Sequence, residues 1–143
     1  MSPARIIDGK AVAESVREEI TRRAANLVEA KGIRPGLAVV LVGEDPASQV
    51  YVRNKDKTAE ACGFHSVKHT LAADTPEANV LALVETLNED PAIHGILVQL
   101  PLPGHIDESK VLRLIRPEKD VDGFHPVNLG RLVQGRTDGL LPC

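Results

Sequence analysis

Tyr51 and Lys55 lie four residues apart in a segment whose sequence predicts a helix. Because a helix repeats every 3.6 residues, positions i and i+4 stack on one face, and this face would present a phenol beside an ammonium. Such a face can bind and protonate a substrate. The same spacing also occurs on ordinary solvated helices, so other segments must support the chemistry.

Lys55 is the candidate for the reactive group. An amine near the first turns of a helix, partly buried against Val and Tyr side chains, suits proton transfer. Lys57 follows two residues later and must point elsewhere. We therefore expect Lys57 to be solvated surface.

Gln99 ends an otherwise apolar predicted strand. A buried amide needs partners for its donors and its acceptor, so its oxygen could accept a hydrogen bond from Lys55 and hold the ammonium in place. The alternative is an amide bonded to a neighbouring loop. The adjoining segment 100–103, Leu-Pro-Leu-Pro, would form a stiff apolar wall beside Gln99, since proline has a fixed φ and cannot extend a strand ladder.

Asp120 and Asp122 lie in the segment Glu118-Lys119-Asp120-Val121-Asp122-Gly123-Phe124. One carboxylate could bond two adjacent N–H donors of a heterocycle while the other caps a turn. Asp-Gly is also a common turn signal, so an ordinary turn is the alternative. The five histidines share no metal-ligand spacing, and we predict no metal site.

The bulk composition predicts one soluble globular domain. The chain has 143 residues, 43% hydrophobic and 26% charged, which is enough for one packed core. A net charge of -3 argues against nucleic acid or an anionic membrane as a partner. The two cysteines form no disulfide framework, and no signal peptide or membrane-spanning run is present, so we expect a cytoplasmic protein.

Apolar periodicity and turn residues predict alternating helices and strands. In chain order we first predict a helix from about Val12 to Lys31, a buried strand Leu37–Val42, a helix from Pro46 towards Cys62 and a weaker strand Phe64–Leu71. A helix opened by Thr75-Pro76-Glu77, a strand Gly95–Leu100 and a helix Asp107–Ile115 follow. We predict mostly loop over 118–139, with a short helical turn at Asn128–Val133. This order predicts an α/β fold, a mostly parallel sheet with helices on both faces. Ligands bind such folds beyond the carboxyl ends of the strands, where the candidate residues cluster.

The Tyr-x-x-x-Lys pattern is also the signature of short-chain dehydrogenases. That function needs a glycine-rich turn upstream of the pair, and the candidate turn contains the single Gly43. We reject it. The chain contains no G-x-G-x-x-G or P-loop motif, so we expect no cofactor-binding residues for a dinucleotide in this chain.

Three motifs together resemble the bifunctional methylenetetrahydrofolate dehydrogenase/methenyltetrahydrofolate cyclohydrolase family. They are the segments Pro46–Lys57, Gly95–Pro103 and Pro117–Phe124. The similarity runs from Asp8 to the end, including Asn128–Leu132 and the closing Leu141-Pro142-Cys143. The resemblance implies that Lys55 is the catalytic lysine of cyclohydrolysis and that Gln99 positions it. It also implies that Tyr51 stacks on the aminobenzoyl part of folate and Asp122 holds the pterin, with Ser48, Val98, Leu100 and Pro101 lining the same cleft.

The family's chain continues into an NADP-binding Rossmann domain, so residues 1–143 look like the amino-terminal, folate-binding catalytic domain alone. With NADP bound by that second domain, the resemblance implies oxidation of 5,10-methylenetetrahydrofolate, then hydrolysis of the methenyl product to 10-formyltetrahydrofolate. It further implies a cytoplasmic homodimer at full length, and one exposed apolar face here. The alternatives are a folate-binding or dimer-contact module without turnover, and a sugar- or phosphate-binding domain with accidental motif matches.

Overall fold

The computed structural model describes residues 6–137 and residue 139. The elements are α1 (Gly9–Lys31), β1 (Gly36–Val42), α2 (Pro46–Ala61), β2 (His65–Leu71), α3 (Glu77–Glu89), β3 (Gly95–Val98), α4 (Glu108–Leu114) and α5 (Pro126–Val133). The closing motif Leu141–Cys143 lies outside the described residues.

The three strands form a parallel sheet in the order β2-β1-β3. The central strand β1 is buried on both faces, which explains its unbroken apolar run. Ala38, Val40 and Val42 share one core with α3 and α4. Val39 and Leu41 face the other way and pack with Val52 of α2. The predicted α/β fold, with helices on both faces of a parallel sheet, is confirmed.

Local sequence signals set most helix ends. The Asp8 carboxylate accepts hydrogen bonds from the first turn of α1, and Gly32 ends that helix at a φ of 65°. The Asp45 and Asp107 side chains cap α2 and α4 in the same way. Helix α3 differs from the prediction, because Pro76 occupies its N-cap position and no side chain caps it.

Two other element boundaries in the structure differ from those predicted from the sequence. The strand expected over Gly95–Leu100 ends at Val98, although the Gln99 N–H still donates to Val40 O at 2.8 Å. The short turn expected at Asn128–Val133 is a two-turn helix that begins at Pro126, since proline is well suited to the first helical position.

Helix α1 leaves an apolar stripe exposed. Ala24 of this helix is buried, whereas Val12 and Val16 are exposed. No helix within the described part of the chain is long and apolar enough to cross a bilayer.

Candidate functional site

Lys55 and Gln99 meet at the carboxyl end of the sheet. The Lys55 ammonium donates a hydrogen bond to Gln99 Oε1 at 3.4 Å, across 44 residues of sequence. The Gln99 amide nitrogen donates to Leu100 O at 2.8 Å, so both ends of the amide are engaged. Because both groups are only half-buried, a ligand can still reach the amine.

The alternation of β3 explains this meeting. Leu97 packs in the core beneath α2, whereas Val98 packs in the opposite core against α3 and α4. Successive side chains of a strand point to opposite faces, so Gln99 follows Leu97 to the α2 side. Lys55 lies on α2, and the two side chains therefore share one face of the sheet.

Asp122 is the third member of the site. The segment before it runs parallel to β3, where Ile96 pairs with Asp120 and the Ile96 N–H donates to Lys119 O at 2.7 Å. Continuing in that direction brings Asp122 to the end of β3, and its carboxyl interacts electrostatically with the Lys55 ammonium. The side chain is half-buried.

Three influences act on the pKa of Asp122. Burial raises the pKa above its ordinary value because a charged carboxylate is poorly solvated there. The Lys55 ammonium lowers it and the Asp120 carboxylate raises it again. The net shift is upward, so Asp122 holds its proton to a higher pH than a solvated aspartate.

The two aspartates of the loop have different surroundings. Asp120 is 2% exposed, and its Oδ2 accepts hydrogen bonds from the His125 N–H at 2.8 Å and from Asn128 Nδ2 at 2.9 Å. Asp120 is thus the aspartate that closes the turn. Asp122, by contrast, is half-buried and within electrostatic reach of Lys55.

Tyr51 lies one helical turn before Lys55 on α2, and 62% of its surface is exposed. A large ring with this exposure has a free face on which a flat ligand could stack. The structure places Tyr51 on the same helix as Lys55, and within the described ranges no hydrogen bond joins Tyr51 to Gln99 or Asp122.

The four residues predicted to line the cleft have different surroundings. Ser48 is buried in the first turn of α2, where its N–H donates to Asp45 Oδ2 at 2.7 Å. Val98 is 2% exposed, and its side chain lies in the core beside α3 and α4. Leu100 is half-buried and Pro101 is exposed after a cis Leu100–Pro101 peptide bond.

Sequence reasoning missed Asn128 as part of the site. It is 2% exposed and bonds both Asp120 and Pro117 O, the latter at 2.9 Å. The available signal was a polar side chain in the first turn of a helix that begins at Pro126, but the frequent loop-type residues around it hid that helix start.

The starts of α2 and α4 do not fit a dinucleotide. A pyrophosphate needs free N–H groups at a helix N-terminus. Here the Asp45 carboxylate occupies the start of α2 and that of Asp107 the start of α4. Over the ranges that the structure describes, no three potential metal ligands cluster.

Comparison with known proteins gives a consistent family match. Residues 7–122 match the family model described as tetrahydrofolate dehydrogenase/cyclohydrolase, catalytic domain. The chain is 62% identical to "Bifunctional protein FolD" of Rhodospirillum rubrum, over 98% of this chain and 48% of that protein. It is 59% identical to the protein of the same name from Paramagnetospirillum magneticum, over 100% and 48%.

Two solved structures share the fold. A bifunctional FolD enzyme of Campylobacter jejuni superposes with a TM-score of 0.91 at 48% identity, over 95% of this chain and 48% of that one. The Trypanosoma brucei enzyme, complexed with NADP cofactor and an inhibitor, superposes with a TM-score of 0.93 at 44% identity, over 100% and 49%. The chain thus spans about half the length of the relatives that it matches.

Proposed function

Because this chain belongs to the tetrahydrofolate dehydrogenase/cyclohydrolase family, we propose that it supplies the folate site and the cyclohydrolase lysine of a bifunctional one-carbon enzyme. The full enzyme would oxidise 5,10-methylenetetrahydrofolate with NADP and hydrolyse the methenyl product to 10-formyltetrahydrofolate. The observation that carries this proposal is the hydrogen bond between Lys55 and Gln99, with the carboxyl of Asp122 within electrostatic reach of the same ammonium.

In the hydrolysis, water adds to the cationic methenyl carbon and loses a proton. The neutral carbinol that results then breaks its bond from that carbon to N5: N5 takes up a proton, the carbinol hydroxyl loses its own, and the formyl group remains on N10. One proton is released to solvent overall. Lys55 would carry the proton between the water and N5, and Gln99 would hold its amine at the reacting carbon. Lys55 would be the residue that transfers a proton, whereas Tyr51, Gln99 and Asp122 would bind and orient the substrate or the lysine.

Tyr51 and Asp122 would bind the two flat parts of the substrate. The exposed Tyr51 ring offers a stacking surface for the aminobenzoyl group. The Asp122 carboxyl can bond the nitrogen-rich edge of the pterin. The main chain of Val98 and the side chains of Ser48, Leu100 and Pro101 complete the proposed cleft wall.

The dehydrogenase reaction needs a second domain. Aspartates cap α2 and α4, so neither helix start offers free N–H groups to a pyrophosphate. We therefore assign NADP to the part of the family's polypeptide that lies outside the half matched by residues 1–143, and derive no hydride-transfer step from these residues. Residues 1–143 would be the folate-binding catalytic domain, and the full-length cytoplasmic homodimer stays a prediction.

The test is loss of 5,10-methenyltetrahydrofolate, followed optically. We expect a rate above the buffer background that Lys55→Met abolishes. Lys57→Met is the matched control, because Lys57 is exposed on another flank of α2, and it should retain the rate. An equal loss in both variants, or no loss in either, would contradict the assignment of Lys55.

A folate-binding module without turnover is the second candidate. The 62% exposure of Tyr51 favours it, because no described residue covers the outer face of the ring and excludes water. Calorimetry decides between the two candidates: folate binding weakened by Tyr51→Ala, without any Lys55-dependent rate, would support the binding module.

A further inference from the structure

The loop that carries Asp122 is built around the buried carboxylate of Asp120. Both of its N–H donors reach the same oxygen, Oδ2. A carboxylate is an acceptor-only group, and two N–H donors match that requirement. The Asp120 side chain therefore serves as the acceptor at the centre of this turn.

Asn128 and β3 fix the loop from two sides. Asn128 Nδ2 donates to Pro117 O as well as to Asp120, which ties the start of α5 to both ends of the segment 117–120. On the other side, the Ile96 N–H donates to Lys119 O. Asp122 thus extends from a segment whose main chain is bound to the sheet and to α5.

The charges that act on Asp122, within the part of the chain that the structure describes, come from Lys55 on α2 and Asp120 in its own loop. The neighbouring Lys119 ammonium points away and donates to Leu87 O and Asp90 O. The His125 ring contacts the Val127 N–H and Arg113 O. Lys55 and Asp120 therefore act on Asp122 in opposite senses.

We propose that Asp120 is a positioning residue whose buried carboxylate fixes the Asp122 loop and holds a negative charge beside Asp122, opposing the Lys55 ammonium. This inference rests on the proposed role of Asp122 in binding the pterin. Asp120 thereby sets the pH range over which Asp122 changes from a carboxyl, which can donate a hydrogen bond, to a carboxylate, which only accepts.

The test is a ¹³C NMR titration of the Asp122 carboxyl in the 143-residue chain without folate. Asp120→Asn keeps an acceptor oxygen for both N–H donors and removes the charge. We expect the titration midpoint of Asp122 to fall in this variant. Glu118→Gln is the matched control, an exposed acid in the same segment, and should leave the midpoint unchanged.

The variant Asn128→Ala distinguishes the effect of the Asp120 charge from the effect of the hydrogen bonds that hold the loop. It removes one donor but keeps the Asp120 carboxylate, so the Asp122 midpoint should stay nearer the parent value than in Asp120→Asn, while folate affinity falls. An unchanged midpoint in Asp120→Asn, or an equal fall in both variants, would overturn the proposal. Because the titration needs no substrate, failure of the folate assignment would appear separately, as absent binding by the parent chain.

Discussion

The ammonium of Lys55 on α2 and the amide oxygen of Gln99 beyond β3 are joined by a hydrogen bond of 3.4 Å. This contact links the helix that follows the central strand to the end of the neighbouring strand. It fixes the position of the amine relative to the carboxyl edge of the sheet, where α/β folds bind their ligands.

Replacing Gln99 by Met should slow cyclohydrolysis chiefly through kcat. Hydrogen bonds to charged groups contribute about 1.5–3 kcal/mol, and the length of this one favours the lower end of the range. That corresponds to a loss of about tenfold in rate. Steady-state kinetics of methenyltetrahydrofolate hydrolysis would measure it, and a raised KM with unchanged kcat would show that Gln99 binds substrate instead.

Replacing Asp122 by Asn should stabilise the folded chain near neutral pH. Burial, the largest cause, raises the pKa of Asp122 in the fold, so ionising this group costs stability. The cost is absent below the ordinary aspartate pKa of about 3.9 and develops as the pH rises through the raised value. Thermal melts of both proteins should therefore converge in acid and separate towards pH 7, with the Asn variant higher. A difference in melting temperature that grows as the pH falls would contradict a raised pKa of Asp122.

Replacing Asp45 by Ala should destabilise α2 and weaken the site that it carries. Hydrogen bonds from the main chain and hydroxyl of Ser48 lower the pKa of Asp45, so its stabilising effect is present above the ordinary aspartate value and is lost as the pH falls through the lowered one. Asp45→Asn should keep much of the cap but lose this pH dependence.

The control for the Asp45 variants is Glu44→Ala. The Glu44 side chain is exposed, and its contact with Gln49 uses the main-chain oxygen. Denaturant unfolding between acid and neutral pH would measure all three variants. Equal losses in Glu44→Ala and Asp45→Ala would show that the cap is unimportant.

Replacing Gly95 by Ala should displace the Asp120–Asp122 loop. A Cβ at Gly95 would overlap the Val121 side chain, and such overpacking costs about 1–3 kcal/mol of unfolding free energy. Adding Val121→Ala makes room, so the double variant should be more stable than the sum of the two single changes predicts. Gly104→Ala is the control, since nothing lies within 4 Å of a Cβ there. Strict additivity of the two changes would contradict the clash.

The predicted elements followed from local patterns, because caps, turns and side-chain periodicity act over a few residues. Asp45 and Pro46 marked the start of α2 correctly. The start of α3 was missed by one residue, since Thr75-Pro76 carries the same residue types as a cap without making its hydrogen bond. The role of Asn128 was missed because its partners lie up to 11 residues away.

The sequence by itself determined that Tyr51 and Lys55 lie one turn apart on a helix, since the 3.6-residue repeat sets that spacing in any fold. It also determined that Gln99 and Leu97 lie on one side of a strand, since side chains alternate. Only the tertiary structure decided that β3 pairs with β1 on the side away from β2. It also decided that Asp120 is buried while Asp122 comes within electrostatic reach of Lys55. These outcomes depend on contacts between distant residues, and local spacing carries no information about which surfaces will meet.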